Sequence, residues 1–162
     1  MEAASVLMVV ESVRVHSLTG QHVVVLREAT RERFLQIWIG PWEANAIAMR
    51  LQGIAPERPL THDLFLRTLL ELGTRIDRVV VRELEGETVR ARLVLDGPVG
   101  TREVDARPSD AIALAIRAGA PIHAAEAVLD RAGIEPATAE EEKLSVFRDF
   151  VNSLGPETDE RV

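Results

Sequence analysis

The sequence predicts an α+β domain, a mixed or antiparallel sheet carrying helices, on three observations. Short runs rich in valine and isoleucine alternate with alanine-rich runs of helical periodicity. Glycine, proline and aspartate punctuate the short connections between them. The order of these runs also occurs twice: Pro41–Arg50 aligns without gaps on Pro108–Arg117 at an offset of 67, and Val13–Gly20 on Val79–Gly86 at 66. The expectation is two similar strand-strand-strand-helix-helix repeats, about 9–73 and 76–133, sharing one core. Chance likeness of two alanine-rich helices is the competing explanation.

Taken in order, Ala3–Ser17 carries Val6, Leu7, Val9, Val13 and Val15 and reads as a strand. A turn at 18–21 leads to a second strand, His22–Arg27, and 28–33 is a charged hairpin connection before a third strand, Phe34–Gly40. Trp42–Leu51 reads as a helix stopped by Gly53. A loop through Pro56, Arg58 and Pro59 brings the chain to Thr61, whose hydroxyl suits an N-cap, and to a helix over His62–Leu72. Strands are expected again at Ile76–Leu84, Thr88–Leu95 and Arg102–Ala106, then a helix at Ser109–Ala118. An extended piece at 121–123 and a short helix at Ala125–Ala132 complete a domain of residues 1–134. Residues 135–162 change character, with eight acids against three bases. There an acidic amphipathic helix over Ala139–Asn152 and a disordered tail are expected.

Composition narrows the chemistry. The chain has 162 residues, no cysteine and a formal charge of −7, which excludes disulfides and thiolate sites and is unlike the basic footprint of many nucleic-acid binders. No apolar run approaches the roughly 20 residues needed to span a bilayer. The expected setting is cytoplasmic, without a membrane partner. All basic residues but Lys143 are arginine, a side chain suited to two-point contacts with phosphate. Walker, dinucleotide-binding, zincin and serine-hydrolase signatures are absent from the sequence.

The polar candidates gather in three places. Asp105, Arg107, Ser109, Asp110 and Arg117 surround the start and body of the most apolar helix. Glu43, beside Trp42, is the matching position of the first repeat, and Arg58, Thr61, His62 and Asp63 lie at the start of the connecting helix. Carboxylates with a histidine suit a divalent cation or acid–base work, and arginines suit phosphate. Plainer readings stand beside these. Glu43 and Asp110 fit the positive ends of helix dipoles, Asp105 and Arg107 fit a local ion pair, and Trp38 and Trp42 fit the core or an interface better than a base-stacking platform.

Three of these segments together resemble the bifunctional nuclease (BFN) domain family: Ile37–Gly40 with Glu43–Ala44, Arg58–Leu64, and Asp105–Ala115, continued by Pro121–Ile122 and Val128–Leu129. The likeness covers roughly residues 7–133. It implies a compact α+β fold, common in bacteria, with plant relatives that degrade both RNA and DNA. The family often carries an aromatic pair where this chain has Val89 and Arg90, and the chain has no tyrosine. The expectation is a nuclease-like protein hydrolysing phosphodiesters of RNA or DNA with little sequence preference. Glu43, His62, Asp63, Asp105 and Asp110 are its catalytic candidates, Arg58 and Arg107 its phosphate contacts, and Asp105 and Asp110 the ligands of a Mg²⁺ or Mn²⁺ ion. The alternative is a non-catalytic homodimeric interaction or regulatory module whose polar motifs are structural.

Overall fold

The computed structural model describes residues 4–136; the acidic helix and tail expected beyond Ala139 lie outside them. Strand β1 (Ser5–Val15) pairs antiparallel with β2 (His22–Glu28), and β2 with β3 (Phe34–Ile39). Helix α1 (Pro41–Leu51) and helix α2 (Thr61–Glu71) follow. A second meander comprises β4 (Arg75–Glu85), β5 (Thr88–Gly97) and β6 (Gly100–Ala106), and leads into α3 (Pro108–Ala118). Strand β7 (Ile122–Ala125), helix α4 (Glu126–Ala132) and the two-residue β8 (Gly133–Ile134) complete the order.

The eight strands form one sheet, β6-β5-β4-β7-β1-β2-β3-β8. The strand β7 stitches the two meanders together, parallel to β4 and antiparallel to β1. The sheet is therefore mixed and the fold α+β. The two halves run alike through their first helix, each opened by a proline at its start. The long first strand of each half is bulged, between Val10 and Ser12 and again between Ile76 and Arg78. A bulge adds local twist and bend to its strand. The halves then part: α1 runs on to α2, whereas α3 is followed by β7. The extended piece expected at 121–123 is β7, which enters the sheet between β4 and β1, so the second half ends helix-strand-helix where the first ends helix-helix.

Helix α3 is the buried spine. Pro108, Ser109 and Ala111–Ala115 are buried along it, and the small alanines let the sheet and α1 approach closely. Ile112 and Leu114 supply its larger core contacts, and burying each contributes about 2 kcal/mol. Gly119 closes α3 in the left-handed conformation (φ 66°) that glycine adopts without strain. The 28–33 connection is less superficial than expected. Arg33 turns inward and binds buried Glu28 at 2.9 Å and Glu126 of α4 at 2.8 Å, clamping β2 to the last helix. Glu28 is held by this partner, since an unpaired buried charge would be costly.

Candidate active-site cleft

Arg107 is the residue before a proline, which keeps its backbone extended (φ −64°, ψ 142°) and makes it the N-cap of α3. One turn on, Asp110 projects from the helix start. Its Oδ1 is 2.9 Å from His62 Nε2 at the start of α2. Its Oδ2 accepts from Arg107 Nε at 2.9 Å, with Nη2 also at 2.9 Å. Arg107 reaches on through Nη1 to Glu43 Oε1 of α1 at 3.0 Å. The starts of three helices are thus joined by one chain, His62–Asp110–Arg107–Glu43. Neither Glu43 nor Asp110 bonds the amides of its own helix; the dipole favours their charge, but Glu43 Oε1 and both Asp110 oxygens are bonded to Arg107 and His62.

This chain lines an open cleft of about 1030 Å³. Asp105, at the end of β6, lines it too, is exposed, and makes no ion pair with another described residue. The expected Asp105–Arg107 pair does not form, because Arg107 is committed to Asp110 and Glu43. Leu60, Leu64, Phe65 and Val104 give the cleft an apolar wall, with Trp42 at its mouth. Trp42 is 82% exposed and Trp38 is 54% exposed, so neither is a core residue. Helix α1 turns its alanines to the core and leaves Trp42 outside.

Burial alone would push the Asp110 carboxyl up, but the His62 bond and the Arg107 guanidinium outweigh it and hold the group below the usual carboxylate range. A carboxylate bonded to Nε2 fixes the neutral ring as the tautomer with Nε2–H, leaving Nδ1 as the acceptor.

Two expected site residues lie elsewhere. Asp63 Oδ2 accepts from the Leu60 amide at 3.0 Å, and Oδ1 from Arg117 Nε at 2.9 Å. Leu60 is therefore the N-cap residue of α2 and Thr61 its first helical residue, not the cap. Burial raises the Asp63 carboxyl less than the Leu60 amide and Arg117 lower it, and it too sits below the ordinary range. Arg117, only 7% exposed, also donates to Ala113 O and Ala46 O, both at 2.9 Å, and so ties α1, α2 and α3 together. Arg58 is exposed and lines a separate groove with Asp63 and Arg117, behind the Pro59–Leu60 segment. Sequence reading assigned no role to Arg117. Its recurrence, as the arginine closing both aligned helices, was the available signal.

The bifunctional nuclease domain model matches residues 24–137, from β2 to just past β8, spanning all the groups above. The chain belongs to the bifunctional nuclease domain family. Two proteins of Mycobacterium tuberculosis, from strains CDC 1551 / Oshkosh and ATCC 25618 / H37Rv, both named as uncharacterized, are each 41% identical to this BFN chain over 157 residues. The match covers 91% of the chain and 94% of theirs. No helix among the described residues of this BFN domain is long and apolar enough to cross a membrane.

Proposed function

We propose that the chain is a nuclease whose cleft between the starts of α1, α2 and α3 hydrolyses phosphodiesters of RNA or DNA with little sequence preference. The observation that carries this reading is the His62–Asp110–Arg107–Glu43 chain on the wall of an open cleft, in a BFN domain. A base oriented by a carboxylate is a recurring means of activating a hydroxyl. His62 Nδ1 takes the proton of an attacking water, the new P–O bond forms as the bond to the leaving oxygen breaks, and His62 returns the proton to that oxygen. Asp110 fixes the orientation of the ring. Arg107, 64% exposed on its side chain, keeps donors free for a phosphate oxygen. Glu43 aims the guanidinium. Asp63 and Arg117 hold the first turn of α2 in place, a positioning role.

The expected Mg²⁺ or Mn²⁺ ion on Asp105 and Asp110 meets an obstacle in the donor set. Both Asp110 oxygens and Glu43 Oε1 are taken. Among the described residues, no three histidine or carboxylate groups cluster to hold a cation. With those oxygens engaged, no step of the proposed reaction is routed through an ion; Asp105 and Asp110 are the residues that would hold one.

The reading is tested by cleavage of labelled single-stranded RNA and DNA by the purified protein, with Mg²⁺, with Mn²⁺ and with EDTA. His62→Ala and Asp110→Asn proteins, folded by circular dichroism, run beside it. Cleavage lost in both variants supports the cleft, and cleavage surviving EDTA supports the ion-free mechanism. Unchanged cleavage in both variants sinks it. The homodimeric module is favoured by one observation, the exposed apolar side chains of Leu64, Phe65 and Trp42 at the cleft. A dimer seen by light scattering, dispersed by Leu64→Glu and Phe65→Glu in a protein without cleavage, supports that reading instead.

A further inference from the structure

The cleft poses an electrostatic problem for any nucleic-acid substrate. Three carboxylates (Glu43, Asp105 and Asp110) face one arginine there, in a chain that is already acidic overall. The cations that would draw in a polyanion lie on the other side of Pro59–Leu60. That groove, about 350 Å³, is lined by Arg50, Arg58, Arg67 and Arg117 against only Glu57 and Asp63. Arg117 and Asp63 neutralise each other at its base. Arg58 and Arg67 are exposed and make no hydrogen bond or ion pair with another described residue. Arg50 spends one donor, a long 3.4 Å bond from Nε to Ile116 O, and is otherwise at the surface.

Arginines left unpaired in a concave site on an acidic protein repel one another and gain most from an anion with several oxygens. Pro59 and Leu60 line both the cleft and the groove, so one extended strand can occupy the two together. We propose that the groove of Arg50, Arg58 and Arg67 is a phosphate subsite. It holds the backbone of a single strand whose neighbouring phosphodiester lies at His62. This rests on the nuclease reading of the cleft, and it adds the substrate class: a flexible single strand, able to bend over the Pro59–Leu60 rim where a stiff duplex cannot.

The test is binding of a labelled single-stranded RNA 12-mer to the full chain, followed by fluorescence anisotropy from low to moderate salt, with His62→Ala in every protein compared so that the strand stays uncut. An Arg58→Ala/Arg67→Ala double variant is compared with Arg14→Ala, a control on β1 outside cleft and groove. Each strand phosphate neutralised contributes about 0.7 to the slope of log affinity against log salt. The double variant is expected to bind about tenfold more weakly, with a slope shallower by about 1.4, while Arg14→Ala matches the His62→Ala parent. Slopes and affinities equal in all three proteins overturn the groove proposal, even if cleavage persists. Groove-dependent binding without cleavage under any condition retains the subsite and removes the nuclease reading. Tight competition by inorganic pyrophosphate, with equal affinity for strand and duplex RNA, overturns the strand assignment and makes the groove a site for a free phosphorylated ligand.

Discussion

Two concave regions lie back to back across Pro59–Leu60, and they differ in nearly every physical respect. The cleft is wide, acidic and flanked by apolar side chains, and its charged groups other than Asp105 are wired into a chain from His62 to Glu43. The groove is smaller and basic, with its outer arginines uncommitted. Paired charges are costly to displace and well aimed, which suits chemistry. Unpaired, exposed charges bind weakly and without geometry, which suits capture. The contrast teaches that the excess acid of the chain need not oppose a polyanionic substrate if capture and reaction are separated by the Pro59–Leu60 segment.

The largest expected effect separates the two. His62→Ala should lower the cleavage rate about 10²- to 10⁴-fold while leaving strand affinity nearly unchanged. A single-turnover assay with anisotropy on the same samples reads both, and equal losses in rate and affinity would erase the division of labour.

Next is the floor that the two regions share. Arg117→Met leaves the Asp63 carboxylate without its cation and two carbonyls without a donor. The expected cost is about 3 kcal/mol in urea denaturation. An unchanged midpoint would mean that Arg117 is as free as Arg58, and that the groove is deeper than drawn.

A smaller effect sharpens the cleft. Trp42→Ala should weaken strand binding about tenfold through lost base stacking and leave the denaturation midpoint in place, because the ring is exposed. Lost stability with intact binding would return Trp42 to a structural role.

The smallest effect is on acid stability. The folded carboxyls of Asp63 and Asp110 lie below the ordinary value. Their contribution is therefore complete above the unfolded carboxylate value of about 4, and is lost as pH falls through the lower folded values. Asp110→Asn should be less stable than wild type at pH 7, and the gap should narrow below about pH 4. Urea midpoints from pH 7 to pH 3 measure it, and parallel curves would remove Asp110 from the ion network.

Much of the fold was legible because it is written in local terms. Short β-branched and apolar runs bounded by turn residues marked six of the eight strands, an extended piece at 121–123 marked β7, and alanine or leucine spacing marked the helices. The two-residue β8 had no such signal: it exists only because β3 offers it an edge. The sequence also brought Glu43, His62, Asp105, Arg107 and Asp110 forward as candidates, and they line one cleft. It did not separate them from Asp63 and Arg58, which are neighbours in sequence of His62 but face another way around the start of α2.

By itself, then, the sequence determined the α+β class, the buried helix α3 and the residue types of the cleft, because periodicity and turn chemistry act over a few residues. The tertiary structure decided how the charges pair. Arg107 took Asp110 and Glu43 rather than Asp105, and Arg33 turned inward to Glu28 and Glu126. It also decided that Trp42 stays outside and that the arginines closing α1 and α3 meet Arg58 and Arg67 in one groove. Two of those pairs, Arg107–Glu43 and Arg33–Glu126, join residues 64 and 93 apart along the chain. Coulomb and hydrogen-bond energies follow distance in space, and only the packed helices fix that distance.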